Sequence, residues 1–166
     1  MSSLPYLNGY PEELRNTALS LLVSGELEKR LLARYPDQHQ IRSNRELNVY
    51  VQELKSQHMR KAPPLSNVAY DNRLHVVHNA LGIHTTRSRV QGDKLRKRRE
   101  MRIAALFKDA PPEFLRMIVV HELAHMKHAD HDRDFNKLCT YMEPDYSQLE
   151  LDLRLYLTVQ DQQAQD

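Results

Sequence analysis

The residues best equipped for chemistry form one short run, His121-Glu122-Leu123-Ala124-His125, an instance of H-E-x-x-H. Two histidines four positions apart on a helix lie one above the other on the same face, so their ring nitrogens can share one metal ion. The glutamate beside them can act as general base toward a metal-activated water. Five residues make a loose pattern that also arises by chance. Its value rests on whether the chain supplies a buried helix to carry it and a third ligand to complete it.

A catalytic zinc site keeps three protein ligands and one open position. Downstream the chain reads Met126-Lys127-His128-Ala129-Asp130-His131-Asp132-Arg133-Asp134-Phe135, and two histidines compete. His128 follows His125 by three residues, but on a continuing helix it lies roughly 10 Å from His121 along the axis, too far to share an ion. His131 is six residues beyond His125, and Ala129-Asp130 lets the helix end and the chain turn back. His131 is therefore the expected third ligand, with a carboxylate further on, Glu143 or Glu150, as the alternative. Asp134 is either an orienting partner for His131 or a surface acid. Cys139 has no neighbouring cysteine and reads as buried core, and Met142 as ordinary packing.

The helix that must carry the motif begins at Ala110-Pro111-Pro112-Glu113 and is expected over about 112–128. Proline suits a first helical turn. Phe114, Leu115, Met117, Ile118, Val119, Val120 and Leu123 make this helix apolar nearly all round, so it should be buried. Buried histidines and a buried glutamate need partners, and a metal ion is the most economical one.

Upstream, Pro11-Glu12-Glu13 opens a helix that Gly25 breaks; a second runs from Glu26 to Tyr35, and a third over about 45–59, each with an apolar stripe. Past Pro63-Pro64 the pattern changes. Segments 74–78, 83–90 and 101–107 are rich in β-branched and apolar residues and predict a small antiparallel sheet of three strands. His75, His78 and His84 fall in it, and His84 could sit at a cleft rim where a strand holds substrate backbone. Beyond the motif, helices are expected over about 132–142 and 147–159, with residues 160–166 as a frayed tail.

Composition limits the rest. At 166 residues, 40% hydrophobic and 28% charged, the chain is expected to form one globular domain over 1–166, helical over 1–62, with sheet and site over 63–166. A single cysteine allows no intrachain disulfide and fits a reducing compartment. With no signal-like N-terminus and no long apolar run, a cytoplasmic protein with no membrane partner is expected. The net charge of +2 hides a basic segment, 87–102, with eight Lys and Arg against two acids. It could hold a phosphate or nucleic acid, or merely protect a sheet edge.

The stretch MIVVHELAHMKHADHDRD (117–134) resembles the YgjP-like metallopeptidase domain, related to SprT and WLM-type zinc proteins. So do GYPEEL (9–14), YDNRLHVVHNALGIHT (70–85), SRVQG (88–92) and LCTYMEPDYSQLELDLRLYL (138–157), which together span nearly the whole chain. The resemblance implies an α+β, zincin-like minimal domain that binds Zn²⁺ through His121, His125 and His131, with Glu122 as catalytic acid/base. The tryptophan-glycine motif of the better-known SprT pattern is missing; Ser88 to Gly92 stands in its place, which leaves substrate choice open.

Metal-assisted hydrolysis is the reaction class expected. A peptide or protein is the first substrate, a nucleoside triphosphate gripped by the 87–102 segment the alternative, and a metal-stabilised nucleic-acid-binding module the third reading. His84, Tyr141 and Tyr146 are the candidates for stabilising the oxyanion.

Overall fold

The computed structural model describes residues 4–72 and 100–165. After a short 3₁₀ turn at Pro5–Leu7, the chain forms α1 (Glu12–Ser24), α2 (Glu26–Arg34) and α3 (Asn44–His58). Two strands follow, β1 (Asn67–Asp71) and β2 (Glu100–Ala104), then α4 (Pro112–Ala124), α5 (Arg133–Met142) and α6 (Tyr146–Gln165).

Local chemistry accounts for the helix boundaries. Gly25 ends α1 in the left-handed conformation, φ 81°, which costs a glycine little. Ser43 and Glu46 close a capping box on α3, each side chain bonded to the other's backbone N–H. Pro111 and Pro112 open α4. The Asp132 side chain accepts the Phe135 N–H at 3.0 Å and so starts α5.

The helix carrying H-E-x-x-H is shorter than its apolar pattern suggests. It stops at Ala124, and Met126 and Lys127 donate to Leu123 and Ala124 through tightened turns of 3.0 Å each. His128 is thereby off the helix. The last helix is longer than expected, because residues 160–165 continue α6 instead of fraying.

The sheet departs from expectation in strand number and in direction. Among the described residues it holds two strands, and they run parallel, with Asn67 opposite Glu100 and Asp71 opposite Ala104. A two- or three-residue turn joins only antiparallel neighbours, whereas parallel strands need a crossover of a dozen residues or more. Residues 72–99 separate the two strands, which leaves room for one. Segments 74–78 and 83–90, expected as strands, lie outside the described residues. The expected strand over 101–107 is β2 for its first half; Ala105–Lys108 turns into a 3₁₀ helix. Arg102 reaches across the pair to the buried Asp71 at 3.1 Å.

The core sits around α4. Nine of its thirteen residues are buried, from Phe114 to Ala124, which explains why its apolar residues do not keep to one face. Helix α4 packs on α3, α5, α6 and β2. Phe114 joins Tyr35 of α2, ring centroids 4.8 Å apart, to Tyr156 of α6 at 5.2 Å. Arg116 ties α4 to the end of α5, donating to Glu143 at 2.8 Å and to the Met142 carbonyl at 3.0 Å. The Tyr35 hydroxyl donates to the buried Asp152 carboxylate of α6. No helix among the described residues is long and apolar enough to cross a membrane.

Candidate metal centre

His121 lies in the last turn of α4, His125 caps that helix, and His131 stands one residue before the cap of α5. The chain turns back between 125 and 131, and this reversal closes the site. His125 Nε2 lies 3.2 Å from His121 Nε2 and 2.9 Å from His131 Nε2. Two nitrogens bound tetrahedrally at 2.0–2.1 Å from zinc stand about 3.3 Å apart, close to these spacings. Phe135, the first buried residue of α5, sets its ring 4.9, 4.6 and 5.0 Å from the rings of His121, His125 and His131. It forms an apolar floor under all three.

Hydrogen bonds behind the rings say what the cluster is suited to hold. His125 Nδ1 lies 3.0 Å from the His128 carbonyl, which can only accept. His125 must therefore carry its proton on Nδ1, and neutral His125 turns the lone pair of Nε2 toward the other two rings. Burial pushes all three imidazoles toward the neutral form, His121 well below the ordinary value; neighbouring imidazoles add to the effect at His121 and His125, and Arg154 at His131. Neutral imidazoles with lone pairs converging on one point fit a cation there. Among the described residues this is the group of His, Cys, Asp and Glu able to hold a metal ion.

The alternative third ligands have other partners. Glu143 accepts from Arg116, and Glu150 accepts from Arg154 at 3.0 Å. Glu150 still stands near enough to His131 to favour its protonated form, while Arg154 opposes it. Arg154 is buried, donates to the Tyr6 carbonyl at 2.8 Å and lies 5.5 Å from the Tyr10 ring centroid, so the N-terminal segment is fastened beside the centre. Asp134 is exposed and makes no hydrogen bond to His131. Cys139 and Met142 are buried core, as their apolar setting suggested.

Glu122 follows His121 on α4 and keeps some surface open to solvent, but the protein around its carboxyl is dense. Desolvation pushes that carboxyl up to about 7. An acid of this kind exchanges protons with water near neutrality, as a general base must.

The three oxyanion candidates separate. Tyr146 is 2% exposed, with its hydroxyl 2.7 Å from His121 Nδ1, on the far side of the ring from the Nε2 that meets His125. Tyr141 is 64% exposed on α5 and packs edge-on against His58 at 5.5 Å. His84 lies outside the described residues, as do His75, His78 and most of the basic segment. The last residues of that segment serve the sheet: Arg102 pairs with Asp71. Sequence reasoning did not foresee the two groups behind the rings, the His128 carbonyl and the Tyr146 hydroxyl. A carbonyl carries no residue signature, and Tyr146 is 25 positions from His121.

Residues 11–156 match the family described as YgjP-like, metallopeptidase domain. A UTP pyrophosphatase of Escherichia coli (strain K12) is 51% identical over 158 residues, 95% of either chain. No solved structure matches significantly. The matched span holds the whole histidine triad and Glu122, and the chain is a hydrolase belonging to the YgjP-like metallopeptidase-domain family.

Proposed function

We propose that the protein is a zinc-dependent hydrolase of nucleoside triphosphates that releases pyrophosphate. The observation that carries this reading is the 51% identity with the UTP pyrophosphatase, sustained over 95% of both chains. Peptide hydrolysis, the first expectation from the sequence, becomes the second reading; the family's description as a metallopeptidase domain favours it.

The donor set supports zinc. Three imidazole nitrogens suit zinc, whereas magnesium and manganese prefer carboxylate and water oxygens. When bound, zinc supplies a Lewis acid that polarises an oxygen and brings the pKa of water to about 7. His121, His125 and His131 hold it. Glu122 takes a proton from water on the open side. The water oxygen bonds to the α-phosphorus, the bond from that phosphorus to the α–β bridging oxygen breaks, and pyrophosphate leaves with the electron pair. The products are a nucleoside monophosphate and pyrophosphate, and Glu122 passes its proton to the leaving group or to solvent. The 87–102 segment, eight basic residues against two acidic, suits a triphosphate chain. In the peptidase reading the same water attacks a carbonyl carbon, and Glu122 returns its proton to the departing amine.

The test presents zinc-loaded protein with UTP, the other nucleoside triphosphates and an unfolded protein in parallel, with Glu122→Gln as the blank. Pyrophosphate release from UTP that the blank lacks is the expected result. Cleavage of the unfolded protein without nucleotide hydrolysis would replace this reading with the peptidase one.

A further inference from the structure

The nitrogen of a metal-binding histidine that faces away from the ion decides how the ring is held. For His125 that partner is a backbone carbonyl. For His121 it is the Tyr146 hydroxyl at 2.7 Å, from the first turn of α6. The two rings lie nearly parallel, 16° apart with centroids 6.4 Å apart, while Phe135 meets His121 edge-on from α5 at 4.9 Å. His121 is thus fixed in both direction and tilt by groups on two other helices.

A phenol has one proton to place. Two arrangements are available. Tyr146 can donate to His121 Nδ1, which puts the His121 proton on Nε2, pointing into the centre. Or Tyr146 can accept from His121 Nδ1–H, which leaves the Nε2 lone pair free. Only the second suits a cation at the meeting point of the three rings.

We infer that Tyr146 is a positioning residue of the metal centre, its hydroxyl oxygen accepting from His121 and so holding that ring as its Nδ1–H tautomer. This rests on the metal-centre reading and adds to it a reason for His121 to be ready before the ion arrives. The choice of a phenol has a chemical consequence. A carboxylate in this place would raise the basicity of the imidazole and neutralise part of the ion's charge. A neutral phenol does the first only weakly and brings no charge for the second, so the ion would keep more of its acidity toward water.

Tyr146→Phe removes one oxygen and leaves the ring in the core. Zinc affinity is measured by competition with a chromophoric chelator, and the geometry of the centre by the visible spectrum of the cobalt(II)-loaded protein. The expected result is zinc binding weakened about 10- to 100-fold and displaced cobalt bands, with the far-ultraviolet circular dichroism of the wild type. Wild-type affinity and an unchanged cobalt spectrum in the variant would overturn the role of Tyr146. A wild-type protein that takes up neither metal would overturn the centre itself, and the role with it. Should Tyr146→Phe fail to fold, the metal-free wild type still decides. Long-range ¹H–¹⁵N correlations are expected to show His121 protonated at Nδ1, and protonation at Nε2 would overturn the inference.

Discussion

His125 sets the polarity of the centre, because its Nδ1 faces a carbonyl that cannot donate, and so its Nε2 must face inward as a lone pair. His121 and His131 converge on that nitrogen at 3.2 and 2.9 Å. At this scale much was legible in advance: ligand types follow from the chemistry of imidazole, and the spacing of His121, His125 and His131 follows from a helical turn and a reversal. The groups holding the rings were not legible, since Tyr146 comes from another helix and the His128 carbonyl from the backbone. The account predicts that His131→Ala leaves the protein with less than about a tenth of an equivalent of zinc after dialysis, against about one for the wild type. Atomic absorption checks it, and an unchanged zinc content would remove His131 from the ligand set. Cys139 gives a second prediction. Burial pushes its thiol up to about 12, and a buried protonated thiol is a poor nucleophile. Ellman's reagent should find no reactive thiol in the native protein and one in denaturant; rapid native labelling would contradict the buried placement.

Elements place these residues by where they stop. Had α4 continued to His128, as its composition invited, residues 129–130 alone would have had to bring His131 back to the ion. The helix ends at Ala124 instead, and the chain gains room to reverse before Asp132 starts α5. The Asp132 cap therefore serves stability and site together. Asp132→Ala should lower stability by about 1 kcal/mol in urea unfolding and also weaken zinc binding, because His131 is the residue before the cap. Asp132→Asn, which keeps the accepting oxygen, should restore both. A loss of stability without any loss of affinity would separate the cap from the site. Helices were the legible elements, since prolines, Gly25 and apolar stripes mark their starts within a turn. The sheet was not. Asn67–Asp71 is five residues long with four consecutive core-facing or half-buried positions and no clean alternation. Strand direction depends on the path of residues 72–99, which local pattern does not encode.

Over the whole molecule, one buried helix both builds the core and carries the chemistry, so the two are hard to change separately. Phe114 opens α4 at 0% exposure and binds it to α2 and α6 through Tyr35 and Tyr156. Phe114→Ala should cost about 3–5 kcal/mol in unfolding free energy, read by chemical denaturation, and less than about 1 kcal/mol would show that this end of α4 is not the core. Arg154 of α6 holds the N-terminal segment through the Tyr6 carbonyl and pairs with Glu150 one turn earlier. The central claim is narrower: one metal held by three histidines, and Glu122 as the group that takes the proton from water. It is tested most directly by measuring zinc content and UTP hydrolysis together in Glu122→Gln. The account predicts about one zinc per chain, as in the wild type, with turnover reduced about 100-fold or more. Full turnover with zinc in place would contradict it.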